Sequence, residues 1–345
     1  MPRANNARHM RILLSCILVM ALLSACAASN VRPLSTPAAS LSLSICPDSA
    51  LGETALDCPW ASISRQLSTA AQQGKSVTEA FGNLAPRLKN ELQADSQLQS
   101  WLALWGRSIN FDEFALATIV DPAILDTILS LAQVDPRQNR IVHAGIEHTY
   151  GYLFSVLRTP YGYKRSRWVG DDIEVGFGLP RGTLGPSPAA GTLFSNLSFF
   201  AGRIALKDDT IAQAALISAQ VTLADEIRNF DYGSLETRRL VETVQTPRRI
   251  ELRTDIVKFK NIDPTRADQA LLIYSIVDSA DATAKLITAF PVGANFAEGV
   301  FAAALLGENQ PVISRYNGYI NGLTGVTPPL LGSRFETPHT SVLIR

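Results

Sequence analysis

Leu271-Leu272-Ile273-Tyr274-Ser275-Ile276-Val277 and Leu286-Ile287-Thr288-Ala289-Phe290-Pro291-Val292 decide the fold. Both runs are short, apolar and rich in β-branched and aromatic residues, and a polar segment of Asp and Ala joins them, so they read as a β-hairpin. Working outward, Arg249 to Thr254 alternates through Ile250 and Leu252 and reads as a further strand. Asp172 to Leu179 alternates strictly, with Ile173, Val175, Phe177 and Leu179 opposed to Glu174, Gly176 and Gly178, and predicts the cleanest strand in the chain. Phe296 to Leu306 reads as a helix whose small residues, Ala302 to Ala304, permit close packing on a sheet. Asp209 or Thr210 would cap another helix, carrying Ile217, Val221, Ala224 and Ile227 inward and ending near Tyr232-Gly233. Thr192 to Leu206 is apolar and aromatic, and its pattern assigns it to neither a helix nor a strand.

Upstream, the period is helical from Trp60 to about Gln133. Leu84, Leu88 and Leu92 recur every fourth residue, and Leu98, Leu102 and Trp105, like Ile124, Ile128 and Leu131, follow at steps of four and three. Ser76 with Glu79 resembles a capping box, and Asp121-Pro122 sets a capping aspartate before a proline at the first helical position. Trp101 and Trp105, one turn apart, are expected in the core. The fold class is therefore α+β: a helical N-terminal layer at 45–137, then a mainly antiparallel sheet with one or two crossing helices at 138–345. One domain is favoured over two, because a helix over 140–158 finds its best partner in the preceding helices.

The chain has 31 basic and 31 acidic residues, is 46 % hydrophobic and 18 % charged, and so falls in the globular class. Its N-terminus is an address. Arg3, Arg8 and Arg11 precede an apolar run, Ile12 to Leu23, too short for the roughly 20 residues of a membrane span, which reads as a secretory signal over 1–25. Leu23-Ser24-Ala25-Cys26 resembles the lipobox of bacterial lipoproteins. That resemblance covers the targeting segment alone and implies a lipidated Cys26 as mature N-terminus, with membrane attachment through the lipid. Ala27 in place of an aspartate is similar to the outer-membrane class and implies an anchor on the periplasmic side. An ordinary secretory signal cut near Ala25 or Ala28 is the competing reading. Cys16 does not compete, since Leu14 stands where a small residue is wanted.

Without the three signal arginines, 28 basic residues face 31 acidic ones, a balance that gives no basic surface for nucleic acid. Residues 26–44 read as the lipidated cysteine and a flexible tether rich in Ala and Ser, spanning about 25 Å by linker scaling. In an exported chain Cys46 and Cys58 are expected to form a disulfide, worth about 2–3 kcal/mol in the chain-entropy account.

Function is sought between Arg140 and Trp168. Val142, Ile146, Tyr150, Leu153 and Leu157 fit one helical stripe, predicting a helix to about Arg158, where Thr159-Pro160 stops it. His143 and Glu147 lie four apart on a neighbouring stripe, with His148 one step on. The order HxxxEH departs from the inverted zinc motif HxxEH and sets the histidines about 140° apart on a helix, which argues against one shared metal. Acid–base work by His143, Glu147 and His148 stands beside a structural polar network. Next, Tyr161, Tyr163, Lys164, Arg165, Arg167 and Trp168 interleave three cations with three aromatics, suited to an anionic glycan, a lipid headgroup or a peptide carboxylate, or to a strand with an exposed cationic face. Glu174 lies among glycines, and Arg181 sits in a Gly/Pro-rich loop at 180–191 that lacks a phosphate-binding order. No serine-nucleophile elbow occurs, and no cofactor is implied. The expected function is a lipid-anchored, periplasm-facing lipoprotein that binds an envelope protein, lipid or glycan through 161–181. The alternative is a hydrolase-type enzyme using His143, Glu147 and His148, with Arg165 or Arg167 holding an anionic substrate.

Overall fold

Turn and cap residues cut the N-terminal helical pattern into short rods. The computed structural model describes residues 58–304, except 113–114, 135–140, 160–161, 168–170, 219, 246–248, 263, 266 and 282, together with 339–344. Side chains at 58, 159, 162–163, 166–167, 171, 244–245, 303–304 and 339–344 also lie outside the description. Three helices come first: α1 (Cys58–Gln72), α2 (Val77–Leu84) and α3 (Pro86–Asp95). Ser76 caps α2, its hydroxyl accepting the Glu79 N–H at 3.2 Å, and Pro86 opens α3 where its missing N–H costs nothing. The Leu84-Leu88-Leu92 stripe therefore crosses a helix boundary. One turn, α4 (Gln99–Leu102), and the strand β1 (Arg107–Ile109) lead to α5 (Pro122–Leu131), where the Asp121 carboxylate accepts the Ala123 N–H at 2.9 Å. Trp101 and Trp105 are core residues, and their indole N–H groups donate to the Ala215 carbonyl and the Ser198 hydroxyl.

The single helix expected over 140–158 is instead a strand, β2 (Ile141–His143), a short helix, α6 (Ala144–Thr149), and a 3₁₀ turn at Gly151–Phe154. Every residue from Ala144 to Ser155 is buried. Apolar spacing in such a segment does not report a period, because no face is left to solvent. β3 (Arg158–Thr159) and β4 (Gly162–Tyr163) form a minimal antiparallel ladder, followed by a 3₁₀ turn at Lys164–Arg167.

The strand expected from Asp172 to Leu179 is overturned, since α7 (Asp171–Phe177) occupies it. Ile173 and Phe177 lie four apart, so they share a helical face as readily as a strand face. Gly178, at φ 71°, takes the left-handed position after the helix. Leu179 N–H then donates to the Glu174 carbonyl at 2.7 Å and Gly178 N–H to Val175 at 3.2 Å, the Schellman pattern. A Cβ at Gly176 would lie 2.4 Å from the Phe259 ring, so this glycine is set by close approach.

The unassigned stretch is α8 (Leu193–Ala205), opened by a Thr192/Ser195 capping box and buried along almost its whole length. The helix expected from 209 to Gly233 is two, α9 (Thr210–Ser218) and α10 (Asp225–Arg228). Asp209 does cap α9, accepting the Ala212 N–H at 2.9 Å, but Ala212 and Leu216 point inward while Ile217 is 64 % exposed.

The hairpin stands as the centre of a larger sheet. β5 (Thr237–Gln245), β6 (Arg249–Lys258), β7 (Asp268–Asp278) and β8 (Lys285–Gly293) precede α11 (Ala294–Ala304) and β9 (His339–Ile344). The strand order is β8-β7-β6-β5-β9, antiparallel throughout. β5 and β9 have no counterpart in the sequence reading, and β6 runs four residues past Thr254. Pro291 is tolerated because β8 is terminal in that order. Residues 104–106 lie along β8, with Gly106 N–H donating to the Leu286 carbonyl and Leu286 N–H to Leu104, each at 2.8 Å.

Helices cover both faces of the sheet. Val257, Phe259, Leu271, Ile273 and Leu286 join the core shared with the N-terminal helices, α6, α7 and α8. Ile250, Leu252, Leu272, Tyr274 and Ile276 pack with Ala297, Val300 and Phe301 of α11. The protein is thus α+β, with most helices preceding the main sheet. The described residues belong to one compact unit, Cys46–Arg345. Among them no helix is long and apolar enough to cross a membrane.

Candidate functional site

The α6 boundary decides what its histidines can do. His143 ends β2, opposite Arg107, and caps α6: Nδ1 accepts the Ile146 N–H at 3.1 Å. An accepting Nδ1 in a neutral ring requires the hydrogen on Nε2, which lies 2.9 Å from the Leu102 carbonyl and donates to it. His143 is therefore not on a helical stripe with Glu147, and both its nitrogens are engaged by backbone.

Glu147 and His148 are on α6 itself, 0 % and 5 % exposed. His148 Nε2 lies 3.0 Å from the Ser108 hydroxyl and 3.5 Å from Glu147 Oε2. β1 supplies Ser108: the chain leaves the β8 edge at Gly106, whose carbonyl accepts the Ala144 N–H at 3.0 Å, and the next turn of strand presents Ser108 to α6. The Tyr152 ring packs 4.7 Å from the imidazole, and the Lys164 ammonium stands over that ring while pairing with Asp112 at 3.0 Å.

The electrostatics follow from burial. Desolvation pushes the Glu147 carboxyl up to about 7, opposed by the Ser108 hydroxyl and the Lys164 charge. Desolvation likewise lowers His148 to about 3, with Lys164 repelling the proton and a backbone hydrogen bond to Ile287 partly restoring it. The Ser108 hydroxyl has one proton, and its hydrogen-bonding distance is to His148. With that proton on His148, both Glu147 oxygens lack a hydrogen-bond partner among the described residues. Near neutral pH the centre holds a neutral imidazole, a carboxyl poised between its two forms and a half-buried hydroxyl.

Of the cationic segment, Lys164 and Arg165 turn inward. Arg165 is buried, donating to the Ser155 carbonyl at 3.1 Å, and Lys164 is mostly buried in its ion pair. Glu174 is also internal: its carboxylate accepts the Gly182 N–H at 3.0 Å and the Leu184 N–H at 2.6 Å, which pins the 180–191 loop. Arg181 is exposed in that loop. Tyr161 and Trp168 lie outside the described residues, as do the side chains of Tyr163 and Arg167. Cys26, Cys46 and the Cys58 side chain lie outside them too.

Sequence reasoning missed Ser108 and Asp112, since a three-residue strand and its following loop carry no period. It also missed a second buried polar centre. Glu91 and Asp95, four apart on α3, face the start of α8. Glu91 accepts the N–H groups of Ser187 and Leu193, Asp95 accepts the Thr192 hydroxyl at 2.6 Å, and the Tyr150 hydroxyl donates to Asp95 at 2.5 Å. Negative groups at a helix N-terminus oppose the positive end of its dipole. The i,i+4 carboxylate spacing was the available signal.

Among the described residues no group of three or more His, Cys, Asp or Glu side chains can hold a metal ion. No protein-family model, curated protein or solved structure matches the chain.

Proposed function

We propose that the protein is an exported lipoprotein, anchored through Cys26 on the periplasmic side of the outer membrane, whose body binds an envelope protein, lipid or glycan. One observation carries this reading: Arg3, Arg8 and Arg11, the apolar run Ile12 to Leu23 and the small residues before Cys26 stand in the order that lipoprotein processing uses. A multiply acylated cysteine supplies stable attachment where a single chain holds marginally. Recognition is assigned to the part of 161–181 that meets solvent, Arg181 among it, since Lys164, Arg165 and Glu174 are taken up by internal partners. Cys26→Ser is expected to move the protein from the membrane fraction to the soluble one, and unchanged partition would refute the anchor.

A second reading, a hydrolase-type enzyme, is favoured by one contact, the 3.0 Å approach of Ser108 to His148 beside Glu147. In this reading His143 holds the start of α6 and takes no part in proton transfer.

A further inference from the structure

We propose that Ser108 is the nucleophile of a carboxylic-ester hydrolase centre, with His148 as its base and Glu147 as the balancing charge; this rests on the enzyme reading and names its nucleophile and bond class. The geometry brings a hydroxyl, an imidazole and a carboxyl together. A half-buried hydroxyl faces Nε2 at 3.0 Å, within the range for direct proton transfer. The Tyr152 ring packs against the imidazole at 4.7 Å between centroids and holds its plane. Glu147, wholly buried, has an oxygen 3.5 Å from the same nitrogen and no hydrogen bond of its own among the described residues, so its carboxylate gains a partner when the imidazolium forms.

The step balances. Ser108 Oγ attacks the ester carbonyl carbon as its proton passes to His148 Nε2. The tetrahedral adduct collapses, the C–O bond to the leaving group breaks, and the departing oxygen takes the proton back from Nε2. Water then attacks the acyl-serine with His148 again as base, releasing the acid and restoring Ser108. An imidazole disfavoured as a cation is a weak base and, once protonated, a strong acid. A weak base activates the hydroxyl only in part, so the centre suits an ester, whose carbonyl is more electrophilic and whose alkoxide leaves more readily than the nitrogen of an amide.

The test uses the full-length protein in detergent, treated with a fluorophosphonate probe and digested with trypsin. An adduct is expected on the Ser108–Arg137 peptide. It should be absent in Ser108→Ala, whose circular dichroism stays that of the folded protein, and form on the order of 10²-fold more slowly in His148→Gln. Hydrolysis of 4-nitrophenyl butyrate should fall in the same rank. A wild-type protein that stays unlabelled at Ser108 overturns the proposal, as does a labelling rate indifferent to His148→Gln. Labelling of Cys26→Ser protein at the wild-type rate supports the centre whichever fraction that protein enters, so failure of the anchor and failure of the nucleophile are read separately.

Discussion

Asp95→Asn is expected to flatten the pH dependence of stability. The Asp95 carboxyl is fully buried, and its pKa rises from the ordinary 3.8 to about 7, through burial first, against hydrogen bonds from Thr192 and Tyr150 and with added repulsion from Glu91. The unfolded chain releases this proton at lower pH than the folded one, so between about pH 4 and 7 it binds fewer protons. Stability contributed by the protonated carboxyl is therefore complete below the unfolded value and is lost as pH rises through the folded one. A displacement of about three pH units corresponds to ~4 kcal/mol. Glu147 has the same sign and His148 the opposite one, since its pKa is depressed, but both are present in either protein and cancel from the comparison. Urea unfolding at about pH 4.5, 6 and 8, followed through the buried Trp101 and Trp105, gives the two profiles. The variant should gain on the wild type by up to ~4 kcal/mol from the lowest pH to the highest. Parallel profiles would refute the assignment of the raised pKa to Asp95.

Two further substitutions test the packing. Gly176→Ala forces a methyl into the Phe259 ring and should destabilise by about 1–3 kcal/mol, read as a lower midpoint in thermal unfolding. An unchanged midpoint would show that α7 does not lie on Phe259. Arg239, on β5, makes paired contacts to the buried Asp255 at 2.7 and 3.1 Å, and also reaches the Ala205 carbonyl and Asp208. Arg239→Ala strands the Asp255 charge and should cost about 3–5 kcal/mol in denaturant unfolding, whereas a loss below about 1 kcal/mol would place Asp255 in water.

What the sequence disclosed depended on how many sides of an element meet solvent. The β7–β8 hairpin, the caps at Ser76, Asp121 and Asp209, and the two core tryptophans follow from local chemistry, and the structure has them. α8 is buried almost all round, so its residues show no period. α7 shows the reverse trap: Ile173 and Phe177 satisfy both periods, and Gly178, read as part of a strand's second face, is the helix stop. β5 was hidden because Arg239 and Glu242 are buried on it, charges that a pattern search assigns to solvent. At the candidate site, Glu147 and His148 were legible from their proximity in sequence. Ser108 arrives from 40 residues away through a strand pairing that no local signal encodes.

The helix α8 carries a consequence for how the chain reaches this state. Its N-terminus is held by acids on α3, and its last carbonyl, at Ala205, by the Arg239 guanidinium. The Glu91–Leu193 hydrogen bond closes a loop of 102 residues. Asp255, which orients Arg239, lies further on still. The Thr192/Ser195 capping box is local, but the contacts to Glu91, Asp95 and Arg239 are not, so the helix gains its full set of end contacts only when long loops close, the kind of contact that slows folding. A chain cut short before β6 keeps every residue of α8 and lacks the Asp255 carboxylate that positions the guanidinium at its C-terminal end. The end of the central helix thus depends on the sheet, through Arg239 and Asp255.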